Sequence, residues 1–164
     1  MINARAESVA TKPAFRDAVA RRRCLLPADG WYEWQAAPGS RKQPFFITPA
    51  DGSGLALAGL WAVWRGTEPP LVTCTVVTTD AVGPLAEIHD RMPLLLPAPS
   101  WEAWLDPDCD DPSRLLAPAP AELAAGLELR PVSTAVNNVR HHGPELVDRI
   151  EPEQPALLNL DQVR

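Results

Sequence analysis

Short runs in which apolar and polar residues alternate, or in which β-branched residues cluster, predict a structure built mainly from short strands. The predicted strands are residues 2–7, 24–36, 43–48, 55–64, 71–79 and 127–132. Turn-forming residues at 37–42 predict that the second and third strands pair as a hairpin. Residues 55–64 are apolar throughout, which predicts a buried strand in which Gly59 allows a close approach or a bend.

Helices are predicted only as short connecting segments. A weak apolar stripe predicts a helix that starts at a Thr11 cap and ends at about Arg22. Asp80 is expected to cap another helix that ends near Glu87, and two more are predicted at about residues 101–104 and 120–125. The 19 prolines against 9 glycines fit short elements that are joined by stiff connections.

The composition fits one globular domain. The chain has 164 residues, of which 46% are hydrophobic and 22% charged, so one sizeable core is expected. We expect residues 1–150 to form this domain and residues 151–164 to form a frayed C-terminal tail. No window approaches eighteen uncharged apolar residues and no signal peptide pattern is present, which predicts a cytoplasmic protein without a membrane partner.

The charge is distributed unevenly along the chain. The net charge is -6, yet residues 1–42 carry eight Lys and Arg against four Asp and Glu, while the rest carries seven against seventeen. A basic face on an acidic protein is therefore possible, and clustering governs phosphate binding more than net charge does. The triplet Arg21, Arg22 and Arg23 is expected to solvate a helix end, where cations also suit the helix dipole.

The cysteines indicate neither disulfides nor structural zinc. Cys24, Cys74 and Cys109 are odd in number, widely spaced and without a pattern of metal ligands. Cys74 lies in a predicted strand and is interpreted as a small core residue rather than a nucleophile.

Two segments carry candidate chemistry. Glu33 lies among aromatic residues on a predicted strand, so it is either desolvated for acid/base work, held by a cation, or simply a strand-end carboxylate in water. His89 is flanked by carboxylates and by Arg91, which suits a proton shuttle or a salt-bridged surface turn. A metal hydrolase that uses His89, Asp90 and Glu33 is a remote alternative, since their spacing is not that of known metal ligands.

Five segments together resemble the SOS response-associated peptidase (SRAP) family. They occur in one order and span most of the chain to about residue 150. They are Asn3-Ala-Arg-Ala-Glu7, Pro27-Ala-Asp-Gly-Trp-Tyr-Glu-Trp34, Gln43-Pro-Phe-Phe-Ile47, Ile88-His-Asp-Arg-Met-Pro93 and Val132-Ser-Thr-Ala-Val-Asn-Asn-Val139.

The resemblance implies an α/β (α+β) fold, with a curved, barrel-like antiparallel β-structure and short flanking helices. It also implies binding of single-stranded DNA at abasic sites. In the family, a mature N-terminal cysteine closes a thiazolidine with the aldehyde of the abasic sugar, and the same cysteine is credited with autopeptidase activity. We therefore expect no cofactor and no metal, a monomer, and a cytoplasmic location associated with the nucleoid when DNA is bound.

Five positions of this chain match functional residues of the family. Glu33 matches the glutamate that handles the terminal amine's proton, and His89 matches the histidine assigned to sugar ring opening and crosslink reversal. Asn3 matches an asparagine near the reactive terminus. Arg5 matches an arginine that contacts DNA phosphate, and Thr78 resembles a threonine near the DNA.

The chain departs from the family at its N-terminus. Position 2 is Ile2 rather than cysteine, and we expect that the family's first section would lie upstream. Whether this polypeptide is an enzyme is therefore uncertain, and a non-catalytic single-stranded DNA or protein-interaction module is the alternative. If that section is missing, apolar surface should be exposed near Ile2 and the 55–64 strand.

Overall fold

Two β-sheets and several short helices form the protein in a computed structural model, which describes residues 1–36, 41–109 and 111–151. The strands are β1 (Asn3–Arg5), β2 (Arg23–Ala28), β3 (Trp31–Gln35), β4 (Gln43–Pro49), β5 (Leu55–Trp64), β6 (Leu71–Asp80), β7 (Arg91–Pro93) and β8 (Leu127–Pro131). The α-helices are α1 (Ala6–Val9), α2 (Arg16–Arg21), α3 (Trp101–Leu105) and α4 (Ala121–Ala125). Short 3-10 helices cover Gly83–Glu87, Ala98–Ser100, Pro112–Leu116, Thr134–Asn137 and Pro144–Val147.

The first sheet has the strand order β1-β6-β5-β2, with β7 also paired to β6. β1 is parallel to β6, whereas the pairs β2–β5, β5–β6 and β6–β7 are antiparallel. The second sheet has the order β3-β4-β8 and is antiparallel. The prediction of a mixed α/β fold with short helices is confirmed, and the sheets are curved but not closed into a barrel.

Two hydrophobic clusters hold these layers together. Alternating side chains of the first sheet, among them Val77, Ala58 and Leu60, pack against the helices that carry Val19 and Trp104. A second cluster lies around Ile47, Leu57 and Met92 and joins the two sheets. The opposite face of β1 and β6 is therefore left to form the wall of a cleft. No helix in the described part of the chain is long and apolar enough to cross a membrane.

One predicted strand is wrong, because residues 24–36 form two strands that belong to different sheets. β2 ends at Ala28 and pairs with β5, whereas β3 begins at Trp31 and pairs with β4. At Gly30 the backbone passes so close to β4 that an added Cβ would lie 2.3 Å from the carbonyl oxygen of Ile47. The β3–β4 hairpin is confirmed, and the predicted turn at 37–40 lies outside the described residues.

The N-terminal elements are shorter than the alternation predicts. The strand stops at Arg5, because Ala6 and Val9 are spaced for a helix and are both buried in the core. The predicted 11–22 helix is reduced to α2, and the Thr11 hydroxyl donates back to the Ser8 carbonyl instead of capping the helix. Glu7 thus lies on α1 rather than on the strand.

Asp80 also differs from its predicted role as a helix cap. It is the last residue of β6, and its carboxylate pairs with Arg91 at 2.5 Å. The following helix is a 3-10 turn whose N-cap position is Val82 and has no capping side chain. In contrast, the helices at 101–104 and 120–125 and the strand at 127–132 are confirmed within one or two residues.

Burial corrects three further predictions. Arg23 of the triplet is buried in β2, with 7% of its surface exposed, so only its neighbours solvate the helix end. Cys74 is exposed rather than a core residue, because it lies in the outer part of the β5–β6 pair, beyond the residues that pair with β1 and β2. The strand β5 is buried only as far as Leu60.

The predicted apolar surface near Ile2 and β5 is confirmed. Met1 and Ile2 are more than 80% exposed, and the outer ends of β5 and β6 expose further large apolar side chains. These are Trp61, Val63, Trp64, Leu71 and Val72. Met1 and Ile2 line an open groove of about 510 Å³ together with residues of these two strands.

Candidate functional site

A cleft of about 490 Å³ opens between the two sheets. It is lined by all five residues that match the family's functional positions, Asn3, Arg5, Glu33, Thr78 and His89. These residues come from four separate segments of the sequence. Arg91, Met92 and Pro93 of β7 also line it, as do the apolar side chains of Trp31, Tyr32, Leu57 and Val76.

The pairing register of β1 and β6 determines which side chains form one wall of the cleft. In the parallel pair β1 and β6, Asn3 lies opposite Val76 and Arg5 lies opposite Thr78. Because side chains alternate along a strand, these four residues share one face, and Ala4 and Val77 between them are buried on the other. The Thr78 hydroxyl also donates to the Ala4 carbonyl at 3.5 Å, a long contact that links the strands.

Glu33 enters the cleft from the opposite sheet. It lies in the middle of β3 and is half-buried beside Trp31 and Tyr32. Its Oε1 accepts a hydrogen bond from the backbone N–H of Trp34 at 3.2 Å. Burial raises the pKa of the neighbouring Tyr32 phenol, whose ring packs against Phe46 with the ring centroids 5.2 Å apart.

His89 projects from the turn between a 3-10 helix and β7. Its side chain is 43% exposed. The Nδ1 atom accepts a hydrogen bond from the backbone N–H of Arg91 at 2.9 Å, and it lies 3.1 Å from Oδ1 of Asp90. The N–H contact favours the neutral tautomer with its proton on Nε2.

Arg91 is a cleft residue to which sequence reasoning gave no role of its own. Its guanidinium binds both carboxylate oxygens of Glu7 at 2.9 and 3.0 Å, Asp80 at 2.5 Å, and the Thr78 carbonyl at 2.7 Å. These bonds lower the pKa of the Glu7 carboxyl and raise that of the Arg91 guanidinium. Glu7 and Arg91 are 84 positions apart, so no local sequence pattern indicates the pair.

Arg5 is the cationic side chain of the cleft that remains accessible. It is exposed and forms no ion pair with any residue that the structure describes. Arg91, in contrast, is bound to two carboxylates, and only 18% of its side chain is exposed. A negatively charged group that enters the cleft would therefore meet an accessible guanidinium at Arg5, whose charge also helps to lower the pKa of the nearby Glu7 carboxyl.

The far end of β3 is attached to two neighbouring segments. Trp34 Nε1 donates to Oδ1 of Asn137 at 2.7 Å, and the Gln35 amide donates to the carbonyl of Glu87 at 3.0 Å. Glu87, the acceptor of the second bond, is the last residue of the 3-10 helix that precedes His89. The strand that carries Glu33 is thus tied to the turn that carries His89.

The cleft lining contains no thiol, and the described residues contain no cluster of metal ligands. None of the three cysteines lines the cleft, and Cys74 instead lines the apolar groove beside Met1. Across residues 1–36, 41–109 and 111–151, no group of three or more His, Cys, Asp and Glu side chains is arranged to hold a metal ion. The arrangement with His89, Asp90 and Glu33 as ligands of a hydrolase therefore gains no support.

Residues 1–139 match the family described as SOS response associated peptidase (SRAP), and the chain belongs to this family. Similar proteins include "Abasic site processing protein YoqW" of Bacillus subtilis, which is 38% identical over 149 residues, and YedK of Escherichia coli, which bears the same descriptive name and is 35% identical over 153 residues. The matches cover 90% and 92% of this chain, but 66% and 68% of those relatives. For HMCES of Gallus gallus, with 34% identity and 91% of this chain covered, the share of the relative is 50%.

A solved structure supports the same relationship. A protein from Bacteroides thetaiotaomicron aligns with a TM-score of 0.80 and 27% sequence identity. The alignment covers 91% of this chain and 66% of that protein. The chain thus spans about two thirds of the length of several of its relatives and half that of HMCES.

Proposed function

We propose that the cleft binds single-stranded DNA at abasic sites, and that this chain supplies the proton-transfer and phosphate-contacting part of an abasic-site processing protein. The observation that carries the proposal is that Asn3, Arg5, Glu33, Thr78 and His89 line one cleft. The names of the relatives agree with it. We further propose a monomer that acts in the cytoplasm on nucleoid DNA.

The proposed chemistry follows from the groups that share the cleft. In the full-length family form, the amine of an N-terminal cysteine attacks the open-chain aldehyde, water leaves to give an imine, and the thiol adds to the same carbon to close a thiazolidine. The amine must be neutral to attack, so a carboxylate such as Glu33 accepts its proton. His89 in its imidazolium form donates a proton to the sugar ring oxygen as the ring opens and becomes neutral, and the proposed role of Asn3 is to orient the reacting terminus.

Arg5 supplies the charge for the DNA backbone. The cleft is partly apolar, with Trp31 and Tyr32 at the end near Glu33, so an unpaired base can lie against aromatic rings without sequence-specific contacts. A single strand is favoured over a duplex, because its bases are free to enter a cleft of this size. Strand contact through Arg5 is independent of base identity.

For a polypeptide of residues 1–164 by itself, we propose binding without crosslinking. Position 2 is Ile2, and the thiols of Cys24, Cys74 and Cys109 lie outside the cleft lining. The same observation favours the alternative of a non-catalytic module for single-stranded DNA. The two differ only in whether a cysteine terminus is present in the working protein.

DNA binding is tested with a fluorescent single-stranded oligonucleotide that contains one abasic site. For Arg5→Ala, we expect weaker binding and a slope of log affinity against log salt that is less negative by about 0.7, since one phosphate contact is lost. Arg114→Ala is the matched control, because Arg114 is exposed on a 3-10 helix and does not line the cleft. Equal affinities and salt slopes for the two variants would contradict the proposal.

Crosslinking is tested with the same oligonucleotide, by incubation followed by denaturing electrophoresis. We expect no denaturant-resistant adduct from a polypeptide of residues 1–164, because no thiol lines the cleft, and the Cys74 thiol near Met1 lies in the separate apolar groove. An adduct that maps to Met1 or to an internal cysteine would show that the chain reacts by another route.

A further inference from the structure

One ring nitrogen of His89 faces both a hydrogen-bond donor and hydrogen-bond acceptors. The backbone N–H of Arg91 donates to Nδ1 at 2.9 Å. Oδ1 of Asp90 lies 3.1 Å from the same atom, and the Arg91 carbonyl oxygen lies at 3.3 Å. Among the described residues, Nε2 has no protein partner and is left for the cleft.

These partners suit different protonation states of the imidazole. When Nδ1 carries no proton, its lone pair accepts from the Arg91 N–H, and the proton resides on Nε2. When Nδ1 carries a proton, it cannot accept from the amide, and it donates to Asp90 instead. The first state presents an N–H hydrogen-bond donor to the cleft. When Nδ1 gains a proton from solvent, the ring is an imidazolium that can donate its Nε2 proton, and the neutral ring that remains carries its proton on Nδ1 and presents Nε2 as a proton acceptor.

We propose that Asp90 is a positioning residue that lets His89 exchange between proton donation and proton acceptance at Nε2. Rotation of the ring is not needed, because Nδ1 exchanges its partner within one turn. This role of Asp90 rests on the function proposed above, since opening of the sugar ring and its reversal require His89 to donate a proton at one step and accept one at another. Protons balance, because Nδ1 takes a proton from solvent before Nε2 donates, and Nδ1 returns that proton to solvent after Nε2 has accepted one, so the ring is never an imidazolate.

Other charged groups near the ring do not replace Asp90. The guanidinium of Arg91 points away to Glu7 and Asp80, to which it is bound. Glu33 on β3 and Arg5 on β1 line the same cleft, but no hydrogen bond or ion pair joins either of them to the His89 ring. Asp90 itself is 88% exposed, so its effect must be modest and sensitive to salt.

The test measures imidazole tautomers by ¹⁵N NMR on the free protein at a pH where the ring is neutral. In the parent protein, we expect averaged ¹⁵N shifts of the two His89 ring nitrogens that correspond to a mixture of both tautomers, with the Nε2–H form in excess. In Asp90→Ala, we expect the ratio of the Nε2–H to the Nδ1–H form to rise by about threefold, because one acceptor for Nδ1–H is lost. Asp90→Asn keeps an acceptor oxygen without the charge and should give an intermediate ratio.

Two controls make the result specific. Glu87→Ala removes an exposed carboxylate two residues before His89 that does not contact the ring, and it should leave the ratio unchanged. His141 is an internal reference, since its Nδ1 donates to the Ala135 carbonyl at 2.9 Å and its Nε2 lies 3.3 Å from the Asn138 amide, which favours the opposite tautomer.

The outcome separates this inference from the proposed function. An unchanged ratio in Asp90→Ala, or the same rise in Glu87→Ala, would overturn the role of Asp90 whether or not the protein binds DNA. If the parent protein does not bind DNA but Asp90→Ala shows the expected rise in the tautomer ratio, only the proposed function is contradicted. Amide spectra of each variant establish that the fold is retained.

Discussion

Removal of the buried Arg23 side chain should destabilise the protein far more than removal of the neighbouring Arg21. The guanidinium of Arg23 lies between the C-terminal ends of α2 and α3, and it forms no ion pair with a carboxylate that the structure describes. It donates to the carbonyls of Val19 and Ala20 at 2.6 and 2.7 Å, to that of Trp104 at 2.6 Å, and to that of Asp106. Backbone carbonyls at helix ends carry partial negative charge, so they bind the cation without a counterion.

The expected cost of Arg23→Met is about 3 kcal/mol in the free energy of unfolding. The bonds to Trp104 and Val19 are buried, and each charged hydrogen bond contributes about 1.5 kcal/mol or more. The carbonyls of Ala20 and Asp106 are only partly buried, so water can replace the guanidinium there at little cost. Methionine keeps the apolar stem in place, which limits any loss of packing.

The assay is urea unfolding followed by tryptophan fluorescence. With an m value of about 2 kcal/mol/M, a loss of about 3 kcal/mol lowers the midpoint by about 1.5 M. Arg21→Met is the matched control, since Arg21 is exposed in the last turn of α2, and its midpoint should move by less than about 0.3 M. A loss below about 1 kcal/mol for Arg23→Met, or equal losses for the two variants, would refute the reasoning.

Two further outcomes are expected away from the cleft. Hydrogen bonds from Arg130, with a second arginine adding to them, lower the pKa of Glu128 from 4.5 to about 2. Because the pKa of Glu128 is lower in the folded state than in the unfolded state, its ionised carboxylate stabilises the folded protein at pH values above about 4.5. This contribution is lost as the pH falls from about 4.5 to 2. Unfolding measured across that range should show a shallower pH dependence in Glu128→Gln, and identical curves would contradict the assignment. The exposed Cys74 should react with a thiol reagent at pH 8 faster than Cys24, whose pKa is raised by burial, and mass spectrometry after brief labelling checks the order.

Much of the fold was predictable because the relevant signals are local. Alternation and turn residues located β4, β5 and β8, and two of the short helices, within a few residues. The site residues were also predictable, but by resemblance rather than by physics, because each lies in a short motif such as Ile88-His-Asp-Arg-Met-Pro93. The structure places them in one cleft, while their roles stay predictions.

What the sequence could not give depends on contacts between distant segments. The break at Gly30 is required by the carbonyl of Ile47 on another strand, and the burial of Arg23 is set by helix ends from two regions of the chain. The apolar run of β5 resembles a uniformly buried strand, yet Trp61 and the residues after it are exposed. Burial of an apolar strand depends on which other elements cover it, and the sequence of the strand itself does not indicate them.

The location of the cleft follows from the register of the first sheet. Gly59 lies opposite Val76, and Trp61 lies opposite Cys74, so the face that lines the cleft continues outward along β5 and β6 to the exposed apolar surface. Gly59 has no side chain, and the space above it is taken by the Cys24 sulfur, which would lie 2.8 Å from an added Cβ. The polar residues Asn3 and Arg5 thus stand at the boundary between the covered and uncovered halves of the sheet. The Arg5 guanidinium at this boundary stays exposed to water while an apolar wall lies beside it, and this combination fits the proposed binding of a DNA strand, which presents phosphates on one side and unpaired bases on the other.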